Sequence, residues 1–317
     1  MSKGSRAVIY AGLAANVAVA IAKFVAAGIT HSSAMLSEAI HSLVDSLNEV
    51  VMLWGMRQAS RPADARHPLG HGRELYFWSF VVSVLIFSLG AGVSVYEGVR
   101  HILDPHPIES PMINYGVLAF AALVEGLSWR VAFREFRARK GDLGYFEAAQ
   151  KTKDPTTLTV FLEDTAALIG IALAFAGTLA TQVFDAPVFD GMASIAIGLL
   201  LAVVAIFLAI ETKRLLIGES ARGHVVAAVR AAAEGSEGVV QVNGLFTIQL
   251  SPRQVVVALS IEFADSLRTP QIEAAVEDIE ARVRKAKPEV MMVLVKPQTA
   301  KAYADALRRR EGTPPPA

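Results

Sequence analysis

Long apolar segments alternate with short polar connections over the first two thirds of the chain. A helix that crosses a bilayer needs about 20 predominantly apolar residues. The pattern predicts six such helices, over residues 6–30, 33–59, 75–103, 112–136, 156–183 and 187–210. We therefore expect a six-span transmembrane domain over residues 1–212.

The pattern changes after residue 211, where polar and apolar positions begin to alternate. A helix is predicted over residues 221–234, strands over 239–250 and 254–263, a charged helix over 269–287 and a last strand over 290–295. This order, αββαβ, is typical of a small sheet with helices on one face. We expect a cytosolic, ferredoxin-like α+β domain over residues 213–298. A C-terminal tail over 299–317 would begin with a short Ala/Arg-rich helix.

Composition agrees with a membrane protein, because 53% of the residues are hydrophobic and only 19% are charged. Soluble domains average about 25% charged residues. The formal net charge is zero, which by itself says nothing about nucleic acid. We expect no nucleic-acid partner. Cysteine is absent, which excludes disulfides and thiolate ligands. Any bound metal would be held by His, carboxylate, amide or water.

Positive charges collect in alternate loops. Lysine and arginine precede the first predicted span and are frequent over residues 57–73 and 130–153, whereas residues 30–32 and 184–190 contain none. Because Lys and Arg are enriched on the cytoplasmic side of membrane proteins, we expect both termini in the cytoplasm.

Ionisable side chains lie inside the second predicted span. His41 and Asp45 are four residues apart, so they project from one helix face, and Glu38 and either Asn48 or Glu49 extend the same stripe. Charged groups at that depth are costly and usually functional, and together His41 and Asp45 supply half of a metal site with nitrogen and oxygen ligands. The alternative is that these side chains only form hydrogen bonds between helices.

The fifth predicted span carries two adjacent acids, Glu163 and Asp164. Neighbouring residues differ by about 100° around a helix, so only one of them can point at a given centre. Since the second and fifth spans run in opposite directions, Asp164 could meet His41 and Asp45 near the middle of the bilayer. The alternative is an exposed Glu163 beside an Asp164 that is paired with Lys23.

Two further polar residues, Asn16 in the first span and Glu125 in the fourth, could complete a coordination shell or carry protons. The loop after the second span presents Asp64, His67 and His71 among proline and glycine. These three side chains could chelate a cation if the loop folds tightly. A loop with solvated histidines is the alternative.

Two motifs carry a family resemblance. The His41-x-x-x-Asp45 pair in the second span and the loop sequence over residues 67–73, HPLGHGR, occur in the order found in the cation diffusion facilitators. The chain resembles this family of transporters for zinc and other divalent metals, which have six spans and a cytosolic αββαβ domain. The resemblance covers nearly the whole chain.

The resemblance implies a transport site made of His41, Asp45 and Asp164, and a secondary site at Asp64, His67 and His71. Many members have a second His-x-x-x-Asp in the fifth span, but here Val160 stands four residues before Asp164. The fourth ligand stays open among Glu163, Glu125, Asn16 and water. With Glu163 beside Asp164, the chain resembles a divergent branch that includes animal mitochondrial-type relatives.

The tail domain contains a single histidine, His224. Some relatives bind metal in this domain through several His and Asp side chains. We therefore expect this one to be metal-poor and to join two copies of the chain as a homodimer.

These features together predict a proton-driven exporter of a divalent metal, with zinc as the ion that the resemblance implies. We expect it in the inner cell membrane among lipids, exchanging metal for protons by alternating access and holding no cofactor besides the transported ion. Manganese, iron, cobalt and cadmium are alternative ions, and a small-molecule/proton antiporter is an alternative class. A membrane metal hydrolase is disfavoured because the sequence lacks an HExxH motif.

Overall fold

The structure is a computed structural model that describes the backbone of residues 3–141 and 143–310, with the side chains of 13–138, 140–141 and 143–309. The end of the predicted tail, residues 311–317, lies outside these ranges. The chain divides into two compact units, Met1–Lys213 and Arg214–Ala317. The division falls beside the domain boundary expected from the sequence.

The first unit consists of long helices joined by short connections. The third of them contains a π-helical segment at Ile86–Ala91. The helices are α1 (Lys3–Thr30), α2 (Ser33–Ala59), α3 (Glu74–Leu103), α4 (Pro111–Lys140), the short α5 (Tyr145–Lys151), α6 (Pro155–Phe184) and α7 (Val188–Ile217).

Within the described ranges, five helices are long and apolar enough to cross a membrane, namely α1, α3, α4, α6 and α7. The prediction of apolar membrane helices is confirmed for these five. The remaining long helix, α2, has 27 residues, which is sufficient length, but its polar stripe makes it less apolar than the others.

The exposed surface of α2 is nevertheless apolar. Leu43, Leu47 and Trp54 are each 41–52% exposed, whereas Glu38 and His41 are at most 1% exposed. A helix that faces lipid buries its polar side chains and exposes its apolar ones. Helix α2 has this arrangement, which is the reverse of that of a helix in a soluble bundle.

Local sequence explains where α2 and α6, the two helices with the predicted metal ligands, begin. Ser32 caps α2 by accepting a hydrogen bond from the backbone N–H of Met35 at 3.1 Å. Asp154 caps α6 in the same way, with Pro155 in the first turn, where a missing N–H is tolerated. Helix α2 packs against α1, α3 and α6, and α4 packs against α1 and α6, so the polar stripe of α2 faces the interior of the bundle.

Glycines bring α3 and α7 into close contact. A Cβ atom at Gly98 would lie 2.6 Å from Ile195 Cγ1 and 2.7 Å from the carbonyl oxygen of Gly191, and a Cβ at Gly198 would lie 2.7 Å from Val95 Cγ2. Small residues at such crossings let helix backbones approach and maximise dispersion contacts in lipid. This crossing leaves no room for larger side chains.

The second unit confirms the αββαβ order. Helix α8 (Gly223–Glu234) precedes strands β1 (Val239–Ser251) and β2 (Gln254–Phe263), and helix α9 (Thr269–Ala286) precedes β3 (Val290–Pro297). The sheet order is β1-β2-β3, with β1 antiparallel and β3 parallel to β2.

Alternate residues of β2 separate the two faces of the sheet. Val257, Leu259 and Ile261 pack with Val229 of α8 and Ile279 of α9 in one apolar core, as the alternation of the sequence predicts.

A further helix, α10 (Ala300–Arg310), covers the opposite face of the sheet. There Tyr303 lies against Gly244, and a cavity of about 220 Å³ is lined by Phe246, Ala258 and Leu307 among others. The expectation that helices cover one face therefore holds only for α8 and α9.

We expect Gly98→Leu to destabilise the first unit by about 3 kcal/mol or to prevent folding, because overpacking of this size forces the backbones apart. The matched control is Gly116→Leu on α4, where nothing lies within 4 Å of an added Cβ. Thermal unfolding of the purified protein in detergent measures both. Equal melting temperatures for the two variants would contradict the close α3–α7 crossing.

Candidate metal centre

His41 and Asp45 lie near the middle of α2, on its buried side. His41 Nδ1 is 3.3 Å from Asp45 Oδ1, and the two side chains are 2% and 15% exposed. The i, i+4 spacing brings the two groups together as the sequence predicts. Because Nδ1 faces the carboxylate of its own helix, Nε2 is the ring nitrogen that remains for another partner.

Both acids of α6 reach neighbouring helices. Asn48 Nδ2 of α2 donates to Glu163 Oε1 at 2.6 Å, and Ser128 Oγ of α4 donates to Asp164 Oδ2 at 2.8 Å. Glu163 therefore reaches α2, three residues beyond Asp45, whereas Asp164 reaches α4. The two adjacent acids point at different helices, as the 100° between neighbouring helix residues predicts.

Two other candidates for a fourth ligand lie on α4 and α1. Glu125 of α4 is buried and lies three residues before Ser128, the partner of Asp164. Asn16 Nδ2 of α1 donates to Glu49 Oε1 of α2 at 2.6 Å. Glu163, Glu125 and Asn16 all stay candidates, and Glu163 is the one that accepts a hydrogen bond from α2.

Lys23 of α1 is fully buried and lies beside this group. Its Nζ donates to Glu38 Oε2 and to Ser42 Oγ, each at 2.8 Å. Gly170 of α6 makes space for the Glu38 carboxylate, because a Cβ at that position would collide with Oε1. Because Lys23 bonds to Glu38 and Ser42, and Asp164 accepts from Ser128, the structure does not have the alternative Asp164–Lys23 pair.

Several polar atoms of this region are buried without a hydrogen-bond partner among the described residues. On α2 they are His41 Nε2, Asp45 Oδ1 and Asn48 Oδ1, and on α6 Thr159 Oγ1 is unpaired one turn before Glu163. An unpaired buried polar atom costs about 1–3 kcal/mol, and such groups usually mark an ion, a water or a function. This concentration of unpaired nitrogen and oxygen atoms suits a ligand that is not part of the protein.

The loop between α2 and α3 brings its three predicted ligands together. Asp64 Oδ1 lies 3.3 Å from His67 Nδ1, and Asp64 Oδ2 lies 3.0 Å from His71 Nε2. Among the described residues, this is the one group of three or more His, Asp or Glu side chains whose ligand atoms all lie within 4.8 Å of one another. Asp64 and His67 are exposed and His71 is buried, so the loop is folded around its carboxylate.

Hydrogen bonds hold the pKa of the Asp64 carboxyl below its ordinary value. The contact with His71 contributes most, followed by the backbone N–H of His67. A lowered folded-state pKa stabilises the fold above the ordinary carboxyl pKa, and the stabilisation is lost as the pH falls through the folded-state value. Asp64 is therefore ionised at neutral pH, which is the state that binds metal.

Sequence reasoning missed two residues that position the buried acids. Ser128 donates to Asp164, and Gly170 makes space for Glu38. Ser128 carries a weak signal, since a hydroxyl inside an apolar span needs a partner. The role of Gly170 depends on the packing of α6 on α2 and leaves no trace in the local sequence.

Comparison with known proteins places the first unit in a family. A family model described as the cation efflux transmembrane domain matches residues 9–217. The human protein named proton-coupled zinc antiporter SLC30A9, mitochondrial, is 35% identical over 220 residues, which are 69% of this chain and 39% of that protein.

Two further relatives come from plants and bacteria. Metal tolerance protein C4 of Arabidopsis thaliana is 32% identical over 191 residues, 60% of this chain and 42% of that protein. Magnetosome protein MamM of Paramagnetospirillum magneticum is 36% identical over 120 residues, 38% of this chain and 36% of that protein. This chain thus spans about two fifths of the length of the relatives it matches.

We expect Lys23→Met and Glu38→Gln each to lower the stability of the protein in detergent by about 3–5 kcal/mol, since each leaves a polar or charged partner buried alone. The double variant should recover most of the loss, because it removes both charges. Thermal unfolding of the four proteins forms a double-mutant cycle. Additive losses, with no recovery in the double variant, would contradict the pairing.

We expect Asp64→Asn to weaken zinc binding by the loop at least tenfold, because it removes the charge that both imidazoles face. Calorimetry at pH 7 measures this in a chain that also carries His41→Ala, Asp45→Ala and His101→Ala, so that the buried imidazoles of α2 and α3 do not contribute. His224→Ala on the exposed surface of α8 is the control for the loss of a metal-ligating side chain elsewhere. Unchanged affinity in Asp64→Asn would remove the loop from the metal-binding residues.

Proposed function

The chain belongs to the cation efflux family, the cation diffusion facilitators, and on that basis we propose that it is a proton-coupled exporter of divalent metal, with zinc as the substrate. The observation that carries the proposal is the His41–Asp45 pair, which is buried in the bundle and leaves His41 Nε2 and Asp45 Oδ1 without hydrogen-bond partners. The family and the human relative's name support a transporter in place of an enzyme.

The chemistry of the side chains supports zinc. The sequence has no cysteine, so the ligands are imidazole nitrogen and carboxylate oxygen, a set that zinc accepts in tetrahedral geometry. We assign His41 Nε2 and Asp45 to the substrate, with Asp164 and Glu163 from α6 as further carboxylate ligands. We assign proton exchange to Glu125, which is buried in the bundle. The loop residues Asp64, His67 and His71 are a second place where the ion binds.

Coupling follows from the fact that metal and protons compete for the same atoms. Zinc binds a neutral imidazole and ionised carboxylates, so its arrival expels protons and their return releases it. A doubly charged ion bound by two ionised carboxylates has a net charge of zero, and two protonated carboxyl groups also have a net charge of zero. The site would therefore be neutral with either metal or protons bound, and in both states the bundle could change from opening on one side of the membrane to opening on the other.

We propose a topology of six crossings, in which α2 is added to the five apolar helices. The apolar exposed surface of α2 supports this assignment, although the composition of α2 alone does not. With six crossings both termini lie on one side, and the abundance of Lys and Arg over residues 130–153 supports the cytoplasm as that side. We propose that the tail domain joins two copies of the chain into a homodimer.

The membrane in which the protein works stays a prediction. The names of the relatives refer to mitochondria and to the magnetosome, and neither name supports the inner cell membrane expected from the sequence. Fractionation of cells that produce the protein tests this location.

We expect His41→Ala and Asp45→Ala each to abolish zinc-driven proton flux in proteoliposomes, with at least a tenfold loss of rate, because each removes a ligand that also exchanges protons. A pH-sensitive dye inside the vesicles reports the flux. His224→Ala, which lies on the exposed surface of the tail domain, should keep the full rate. Normal flux in the two α2 variants would overturn the assignment.

The transported ion is identified by calorimetry on the purified protein together with the flux assay. Zinc, manganese, iron, cobalt and cadmium are added in turn, and the heats of binding to the wild type are compared with those to Asp164→Ala. A small-molecule/proton antiporter would show proton flux that does not depend on His41 and no heat with any of the five metals.

A further inference from the structure

A second buried polar group lies at the end of the bundle opposite the Asp64 loop. Asp190, at the start of α7, is 0% exposed. Its Oδ1 accepts a hydrogen bond from Ser32 Oγ, and its Oδ2 accepts from the backbone N–H groups of Ser33 and Ala34. Asp190 therefore binds the first turn of α2, the helix whose middle carries His41 and Asp45.

His101, near the end of α3, points at the same carboxylate. Its side chain is 8% exposed, and its Nε2 lies 3.8 Å from Asp190 Oδ2. Among the described residues Nε2 has no hydrogen-bond partner, and neither has the buried hydroxyl of Ser33. Capping of α2 explains the three hydrogen bonds to Asp190, but it does not explain a buried imidazole nitrogen that is aimed at the carboxylate without bonding to it.

A path of similar groups leads from His101 to the surface. The ring of His106 lies 6.2 Å from the ring of His101, measured between centroids. His106 Nε2 in turn lies 3.7 Å from Asp104 Oδ2, and these two side chains are 57% and 82% exposed. Two imidazoles, His101 and His106, thus lie between the buried carboxylate of Asp190 and the exposed carboxylate of Asp104.

We propose that His101 and Asp190 form a further binding site for a divalent cation of the zinc class, distinct from the centre on α2 and from the Asp64 loop. Two ligands about 2.1 Å from a tetrahedral ion lie about 3.4 Å apart, so the observed separation of 3.8 Å between Nε2 and Oδ2 needs only a small movement. A carboxylate has about four acceptor positions. On Asp190, Ser33 and Ala34 donate to Oδ2 and Ser32 donates to Oδ1, so the free position lies on Oδ1. An ion held by His101 Nε2 would take this position on Oδ1, or would replace the hydrogen bond from Ala34 to Oδ2, which is the longest of the three at 3.3 Å.

The role of this site rests on the proposed function. An ion released from His41 and Asp45 towards this end of α2 meets His101 and Asp190 next, and then His106 and Asp104 at the surface. Because the site offers few protein ligands and an exposed way out, it binds the ion weakly and passes it on. The site is thus the last binding position on the export route.

Zinc binding to a chain that lacks the other two sites tests the proposal. The background carries His41→Ala, Asp45→Ala, Asp64→Ala, His67→Ala and His71→Ala, and calorimetry on the purified full chain in detergent measures the remaining binding. We expect one zinc ion per chain, with an affinity that falls at least tenfold when His101→Ala is added. His224→Ala in the same background should leave the affinity unchanged.

His101→Ala removes no hydrogen bond that the structure shows at Nε2, so this variant should fold, and His101→Gln serves as a second replacement of similar size. Absence of zinc binding in the background chain, or an affinity that His101→Ala and His101→Gln do not change, overturns the site. The proposed transport function is judged separately, by the flux that His41→Ala abolishes, so the two can fail independently.

Discussion

The cost of holding ionisable side chains inside an apolar helix bundle is the constraint on which the rest of this structure depends. An isolated charge in a low-dielectric interior is strongly unfavourable unless it is paired and hydrogen-bonded. Lys23 meets Glu38, Asn48 meets Glu163 and Ser128 meets Asp164. Each pair joins two different helices, so satisfying the charges also determines how the helices are arranged.

Helix α2 is the common partner in this network. It receives side chains from α1 through Lys23 and from α7 through Asp190, and it reaches α6 through Asn48. The polar atoms that lack partners also cluster along or beside α2, at His41 and Asp45 in the middle and near Ser33 at one end. A cation or a proton at these positions would act directly on the helix that holds the bundle together, which is how binding and helix movement can be coupled.

The tail domain depends on ordinary burial of apolar surface. Its strands alternate between a face that packs on α8 and α9 and a face that α10 covers in part. The alternation of β2 makes the first face easy to predict from the sequence. The second face is covered because the polar, Arg-rich helix α10 packs against the sheet, with Tyr303 at Gly244. This contact depends on three-dimensional packing and is not predicted by the alternation of the strands.

The sequence by itself determined the features that repeat locally. Apolar segments, the period of the polar stripe on α2, the spacing of His41 and Asp45, and the strand alternation all follow from neighbours along the chain, because helix and strand geometry fix which residues share a face. The sequence also indicated the family, since each of the two motifs is a short segment that can be recognised without the structure.

Only the tertiary structure decided which polar groups meet. Lys23 pairs with Glu38 and not with Asp164, and His101 lies beside Asp190, 89 residues further along the chain. Glu163 accepts a hydrogen bond from α2, whereas Asp164 accepts one from α4. These outcomes depend on how each helix is rotated about its axis and on where glycines such as Gly170 let helices approach. Rotation and approach are set by packing between helices, and the local sequence does not encode them in a form that can be read from one helix alone.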